Sequence, residues 1–134
     1  MKGQFTFSKE ERLTGKTSID QLFNEGKSFN IYPFRAFYRM SANPEEPAAR
    51  LLIAIPKKKI KLAVDRNRLR RRIREAYRLN KTVFITGLES LRAQVHVALV
   101  YTGDQADVPY RQVEMKITAC LARLRSIIAS ESGK

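Results

Sequence analysis

The segment from Lys57 to Arg78 constrains this chain more than any other. It holds eleven basic residues, Lys57, Lys58, Lys59, Lys61, Arg66, Arg68, Arg70, Arg71, Arg72, Arg74 and Arg78, against Asp65 and Glu75, a local net of +9. Leu69, Ile73, Ala76 and Tyr77 recur inside it at helical spacing, so Leu62 to Lys81 reads as a helix docked by one apolar stripe, with Asp65 as a candidate cap. At 100° per residue, Arg66, Asn67, Arg70, Arg71, Arg74 and Arg78 fall within about 140° of one another. A solvated helix face normally places acids four residues from bases, whereas Arg66, Arg70, Arg74 and Arg78 repeat one sign along that ladder and repel one another. Something outside the helix must neutralise them. The seven basic residues from Arg66 to Arg78 are all arginine. Its planar fork engages phosphate oxygens bidentately and stacks on bases, which solubility alone does not require.

The whole chain points the same way. Twenty-six Lys and Arg against thirteen Asp and Glu leave +13 on 134 residues, and a polyanion is the expected partner. With 43% hydrophobic residues the chain can bury one core, so 1–134 reads as a single domain, with 1–7 and 130–134 as tails. No stretch approaches the roughly 20 apolar residues of a spanning helix, and Met1–Phe7 has no signal-peptide core, so a cytoplasmic protein is the expectation and no membrane partner is. Cys120 stands alone, which excludes an intramolecular disulfide and a cysteine-rich metal site, and it reads as a core residue.

Around the basic segment the periodicities alternate. Leu13 to Lys27 reads as a short amphipathic helix, capped at Thr17 or Ser18, with Ile19, Leu22 and Phe23 as its stripe and Gly26 at its end. Ser28 to Met40 reads as a strand, with Phe34, Ala36, Tyr38 and Met40 on one face and Arg35, Phe37 and Arg39 on the other. Ser41 to Ala48 is a loop, Ala49 to Ile55 a second strand, and Gln94 to Tyr101 a well-buried one. Val113, Ile117, Cys120, Leu121, Leu124 and Ile128 mark a long final helix. The fold class is α+β, helices against a small sheet.

A basic helix can enter the major groove of DNA or grip structured RNA by shape and phosphates, and charge alone leaves both open. Phe29, Tyr32, Phe34, Phe37 and Tyr38, clustered on strand-like sequence, offer surfaces on which single-stranded bases could stack, although those facing the helices read as core.

The run Ala63-Val64-Asp65-Arg66-Asn67-Arg68-Leu69-Arg70-Arg71-Arg72-Ile73-Arg74-Glu75 resembles the "RNR" segment of the bacterial ribonuclease P protein component. Arg12-Leu13, Phe23 and Gly26 look like that family's first helix, and Lys57-Lys58 precedes the RNR helix as expected. The resemblance implies a three-layer α+β sandwich similar to domain 2 of ribosomal protein S5, with a left-handed βαβ crossover that runs against the usual rule. It implies an RNA-binding subunit of a tRNA-processing ribonucleoprotein endonuclease, in which the catalytic RNA and its Mg2+ ions remove the 5′ leader of precursor tRNA. The protein would bind no cofactor and carry no catalytic or metal residue. By the same resemblance, Arg66, Asn67, Arg68, Arg70, Arg71 and Arg74, with Lys57 and Lys58, would contact the RNA subunit, and Phe23, Arg35 and Phe37 would line a cleft for the leader. Ile19 stands where many members have a second aromatic.

The remaining residues agree with a binding role. His96 lies in an apolar strand and reads as a structural imidazole, and no carboxylate pair stands out for a nuclease acting alone. The rival class is a ribosome-associated RNA-binding protein or RNA chaperone. DNA is not the expected partner, because strand-like segments flank the basic helix where a helix-turn-helix needs a second helix.

Overall fold

The structure, a computed structural model, describes residues 7–132. Its elements are a short 3-10 turn Lys9–Glu11, helix α1 (Lys16–Glu25), strands β1 (Lys27–Ile31), β2 (Phe34–Ser41) and β3 (Ala49–Ala54), helix α2 (Ala63–Ser90), strand β4 (Gln94–Tyr101) and helix α3 (Tyr110–Ser132). The four strands form one sheet in the order β1-β2-β4-β3; β1, β2 and β4 pair antiparallel, and β3 runs parallel to β4. Helix α2 is the crossover joining that parallel pair.

The register sorts the side chains into two faces. Phe29, Ala36, Leu99 and Ile53 share one row, and Tyr38, Val97 and Leu51 the next. This face meets Leu69, Ile73, Ala76, Tyr77, Phe84 and Leu88 of α2 and Val113, Ile117, Cys120, Leu124 and Ile128 of α3 in the main core. The other face carries Phe37, Ala98 and Leu52 in one row, and there Leu13 and Leu22 close over Ala98, with Ile19 packed alongside. The layers are thus α1, the sheet, and the α2–α3 pair. Ile19 belongs to the small cluster under α1, which accounts for an aliphatic residue there.

Several boundaries differ from the sequence expectation. The single strand expected over Ser28–Met40 is a hairpin, turned at Tyr32-Pro33 through a cis peptide bond and held where Thr102 N–H donates to the Pro33 carbonyl at 2.7 Å. Helix α2 runs nine residues beyond Lys81 to Ser90, because Phe84 and Leu88 continue the stripe of Tyr77 and burial outweighs the weak helix propensity of Thr82-Val83-Phe84-Ile85-Thr86. Its cap is Leu62, and Asp65 sits in the first turn paired with Arg68. The cap of α1 is Gly15, at φ 95, so Thr17 and Ser18 lie inside the helix.

Position 26, the C-cap of α1, takes glycine because an added Cβ would lie 2.4 Å from the Leu22 carbonyl oxygen and 2.8 Å from that of Tyr38. That close approach sets α1 down on β2. Of the segments read as tails, 1–6 and 133–134 lie outside the described residues, Phe7 meets Tyr77 edge-on at 5.6 Å, and α3 continues to Ser132.

Candidate nucleic-acid interface

The stripe Leu69, Ile73, Ala76 and Tyr77 is buried to 1% exposure or less, and this turns the arginine side of α2 outward. The arginines then divide by what they touch. Arg66 donates through Nη1 to the carbonyls of Ile60 (2.9 Å) and Lys61 (2.8 Å), tying the turn that carries exposed Lys57 and Lys58 to the start of the helix. Arg68 reaches Asp65 at 3.0 Å and lies 4.0 Å from Asp107. Arg72 donates to Asp107 Oδ1 at 2.7 Å and to the Val108 carbonyl at 2.6 Å. These two side chains fasten the loop between β4 and α3 to the flank of α2. The hydrogen bond from Arg72, and after it the charge of Arg68, hold the Asp107 carboxyl below its ordinary range.

Arg70 donates to Asn67 Oδ1 at 3.1 Å, so the amide aims its arginine neighbour. Arg78 pairs with Glu75, whose carboxyl is held below its usual value chiefly by that hydrogen bond. Arg71 is exposed and Arg74 half-buried, and neither has an acid partner among the described residues. The Arg74 Nε is shielded from solvent with no hydrogen-bond partner. A groove lined by Arg68, Arg71, Arg72, Glu75 and Tyr110 runs beside them. The charge that no acid among the described residues neutralises therefore lies along Arg66, Arg70, Arg71 and Arg74, the kind of surface that phosphates satisfy.

A second arrangement lies across the molecule, where α1 borders the sheet. Phe23 is 37% exposed and meets Phe37 edge-on, ring centroids 4.8 Å apart. The Arg35 guanidinium lies 4.9 Å from the centroid of the same Phe37 ring, and its Nη2 donates to Ser28 Oγ at 3.2 Å. The structure thus brings Phe23, Arg35 and Phe37 into one half-open apolar and cationic surface, on the face of the sheet opposite the main core.

The model of the Ribonuclease P family matches residues 7–125. The chain belongs to the ribonuclease P protein family. It is 34% identical over 130 residues to the ribonuclease P protein component of Porphyromonas gingivalis, spanning 97% of this chain and 94% of that one. Against the corresponding protein of Chlorobium phaeobacteroides it is 30% identical, over 87% and 86% of the two chains. Among solved structures, the ribonuclease P protein from Thermotoga maritima superposes with a TM-score of 0.68 at 26% identity, covering 84% of this chain and 96% of that one. The Staphylococcus aureus protein has the same fold, with a TM-score of 0.67 at 20% identity.

As a ribonuclease P protein component, the chain is the RNA-binding accessory subunit of an endoribonuclease whose catalyst is RNA, and its partners are that RNA and precursor tRNA. Among the described residues no helix is long and apolar enough to cross a membrane, and no group of three or more His, Cys, Asp or Glu is placed to hold a metal ion.

Sequence reasoning missed the pairing of Arg72 with Asp107, which no local pattern signals across 35 residues. It also missed the acid that partners one nitrogen of His96, whose Nε2 lies 2.8 Å from Glu46 Oε2. The glutamate sits in the loop after β2, and only the sheet brings it to β4.

Proposed function

We propose that this ribonuclease P protein uses its two surfaces for two RNAs. The arginine face of α2, with Arg66, Asn67, Arg68, Arg70, Arg71 and Arg74 and the adjoining Lys57 and Lys58, grips the catalytic RNA. The surface of Phe23, Arg35 and Phe37 takes the single-stranded 5′ leader of precursor tRNA. The observation that carries this reading is the run of arginines without an acid partner among the described residues, Arg66, Arg70, Arg71 and Arg74, on a helix docked by its apolar stripe. A phosphate backbone supplies the missing counter-charge, and each neutralised phosphate releases counterions.

The leader surface is supported by the chemistry of its parts. A base can stack on a partly open phenyl ring, and Arg35 adds a cation beside it. Arg68 and Arg72 direct much of their charge to Asp65 and Asp107, so Arg68 serves RNA partly by holding the β4–α3 loop in place. Residues 1–134 act as one domain in a cytoplasmic ribonucleoprotein. The Mg2+ that the cleavage requires is held by the RNA, and the protein's share of the reaction is binding and orientation.

The test is reconstitution. The purified chain, added to a ribonuclease P RNA at low magnesium, restores 5′-leader cleavage of precursor tRNA. Failure to stimulate cleavage, with tight binding to ribosomal RNA instead, would favour the ribosome-associated reading.

A further inference from the structure

At the end of the sheet nearest the Tyr32-Pro33 turn lies a cavity of about 290 Å³, on the α3 side and apart from the leader surface. Its floor is Phe34 and Tyr101, both 1% exposed and set edge-on with centroids 5.8 Å apart. Its rim is unusual for a surface hollow. Tyr32 is 67% exposed and Met115 is 66% exposed, and both border the cavity, so an aromatic ring and a polarisable thioether stand in solvent beside an apolar floor. Gln112 and Lys116 supply an amide and a cation on the same rim.

The walls are fixed from three directions. Thr102 N–H binds the Pro33 carbonyl at 2.7 Å, the Tyr101 hydroxyl donates to the Gln105 carbonyl at 2.7 Å, and Arg72 holds the Val108 carbonyl at 2.6 Å. The last contact joins the cavity to the arginine helix, because Val108 also lines the cavity. Val108 thus ties one wall of the cavity to Arg72 on the flank of the arginine helix.

We propose that this cavity receives one unstacked nucleobase of the RNA bound by α2. The base lies against Tyr32 and Met115, its polar edge meets Gln112, and the Lys116 ammonium faces its phosphate. This rests on the reading of the arginine face as the grip on the catalytic RNA. An aromatic wall with amide and cationic groups is the composition by which unpaired bases are recognised.

The experiment is a salt series of binding between the full chain and ribonuclease P RNA, with Tyr32→Ala, Tyr32→Phe, Gln112→Ala and Arg71→Ala. A stacked base carries no charge, so Tyr32→Ala weakens binding by roughly ten-fold with an unchanged salt slope, Gln112→Ala weakens it less, and Tyr32→Phe keeps nearly full affinity. Equal loss in Tyr32→Phe and Tyr32→Ala would overturn the proposal, because both would then act through something other than the ring. Unchanged affinity in Tyr32→Ala would also overturn it, and if Arg71→Ala still lowers the slope, the arginine-face reading stands alone. Self-association of the RNA-free chain that Tyr32→Ala abolishes would assign the cavity to a second copy instead.

Discussion

The rings of Phe23 and Phe37 meet at 68°, centroids 4.8 Å apart, across the seam where α1 crosses the sheet. An edge-on pair of this kind contributes about 0.5–1.5 kcal/mol beyond its buried area. Phe23 is more than a third exposed, so truncating it removes much less than the roughly 3–5 kcal/mol lost when a fully buried Phe becomes Ala. Phe23→Ala is expected to keep a cooperative thermal transition within a few degrees of the parent. Its holoenzyme should bind precursor tRNA more weakly while binding mature tRNA as before. Collapse of the transition would mean that the ring is chiefly a core residue.

Arg71 and Arg72 are neighbours with different tasks. Arg72 is held by Asp107 and the Val108 carbonyl, so Arg72→Ala frees the β4–α3 loop and lowers Tm by a few degrees. Arg71 has no such partner, and Arg71→Ala should leave Tm unchanged and reduce the slope of log binding constant against log salt by about 1. Thermal melts and a salt titration on the two variants check this, and the opposite assignment of effects would exchange the two roles.

Asn67 accepts a hydrogen bond from Arg70 at 3.1 Å, which gives this uncharged amide among the arginines a positioning task. Asn67→Ala releases Arg70 and weakens RNA binding modestly. Asn67→Asp still accepts from Arg70 but sets a carboxylate among phosphates, so it should weaken binding more. Equal affinities for the two variants would mean that no phosphate lies near Asn67.

Glu46 is an acid-sensitive point of the fold. Burial acts to raise its carboxyl, but hydrogen bonds from Ser41 at 2.7 Å and His96 at 2.8 Å, with the charges of His96 and Arg50, outweigh that and hold it below its ordinary value of 4.5. A carboxyl depressed by folding adds stability that is fully present above its unfolded value and is lost as pH falls through the folded one. Tm should therefore fall on acidification below about 4.5, and Glu46→Gln should flatten that acid limb while lowering Tm at neutral pH. An acid limb of unchanged steepness in the variant would assign the sensitivity to other carboxylates.

The parts of this fold legible in the sequence were those written as periodicity. Leu69, Ile73, Ala76 and Tyr77 stand at helical spacing and are buried, and the alternation of Phe34, Ala36 and Tyr38 with Arg35, Phe37 and Arg39 separates core face from open face as the strand geometry requires. The placement of Phe23 and Arg35 beside Phe37 came from family resemblance, because no spacing rule links a residue of α1 to one of β2. The hairpin was hidden by aromatic residues continuing through Tyr32-Pro33. The last nine residues of α2 were hidden by β-branched residues that only tertiary packing keeps helical. Contacts such as Lys81 with Glu11, 70 residues apart, leave no local trace at all, though this part-buried pair fastens the turn before α1 to α2.

The central claim is that one protein holds two RNAs by separate surfaces, and the affinity ratio of precursor to mature tRNA tests it most directly. It is measured on holoenzymes assembled to equal occupancy with the parent chain, Phe37→Leu and Arg71→Ala. Phe37→Leu should bring the ratio close to one, because the leader loses its ring. Arg71→Ala should keep the parent ratio, because its effect falls on assembly. A Phe37→Leu holoenzyme with full precursor preference, or an Arg71→Ala holoenzyme without it, would contradict the division.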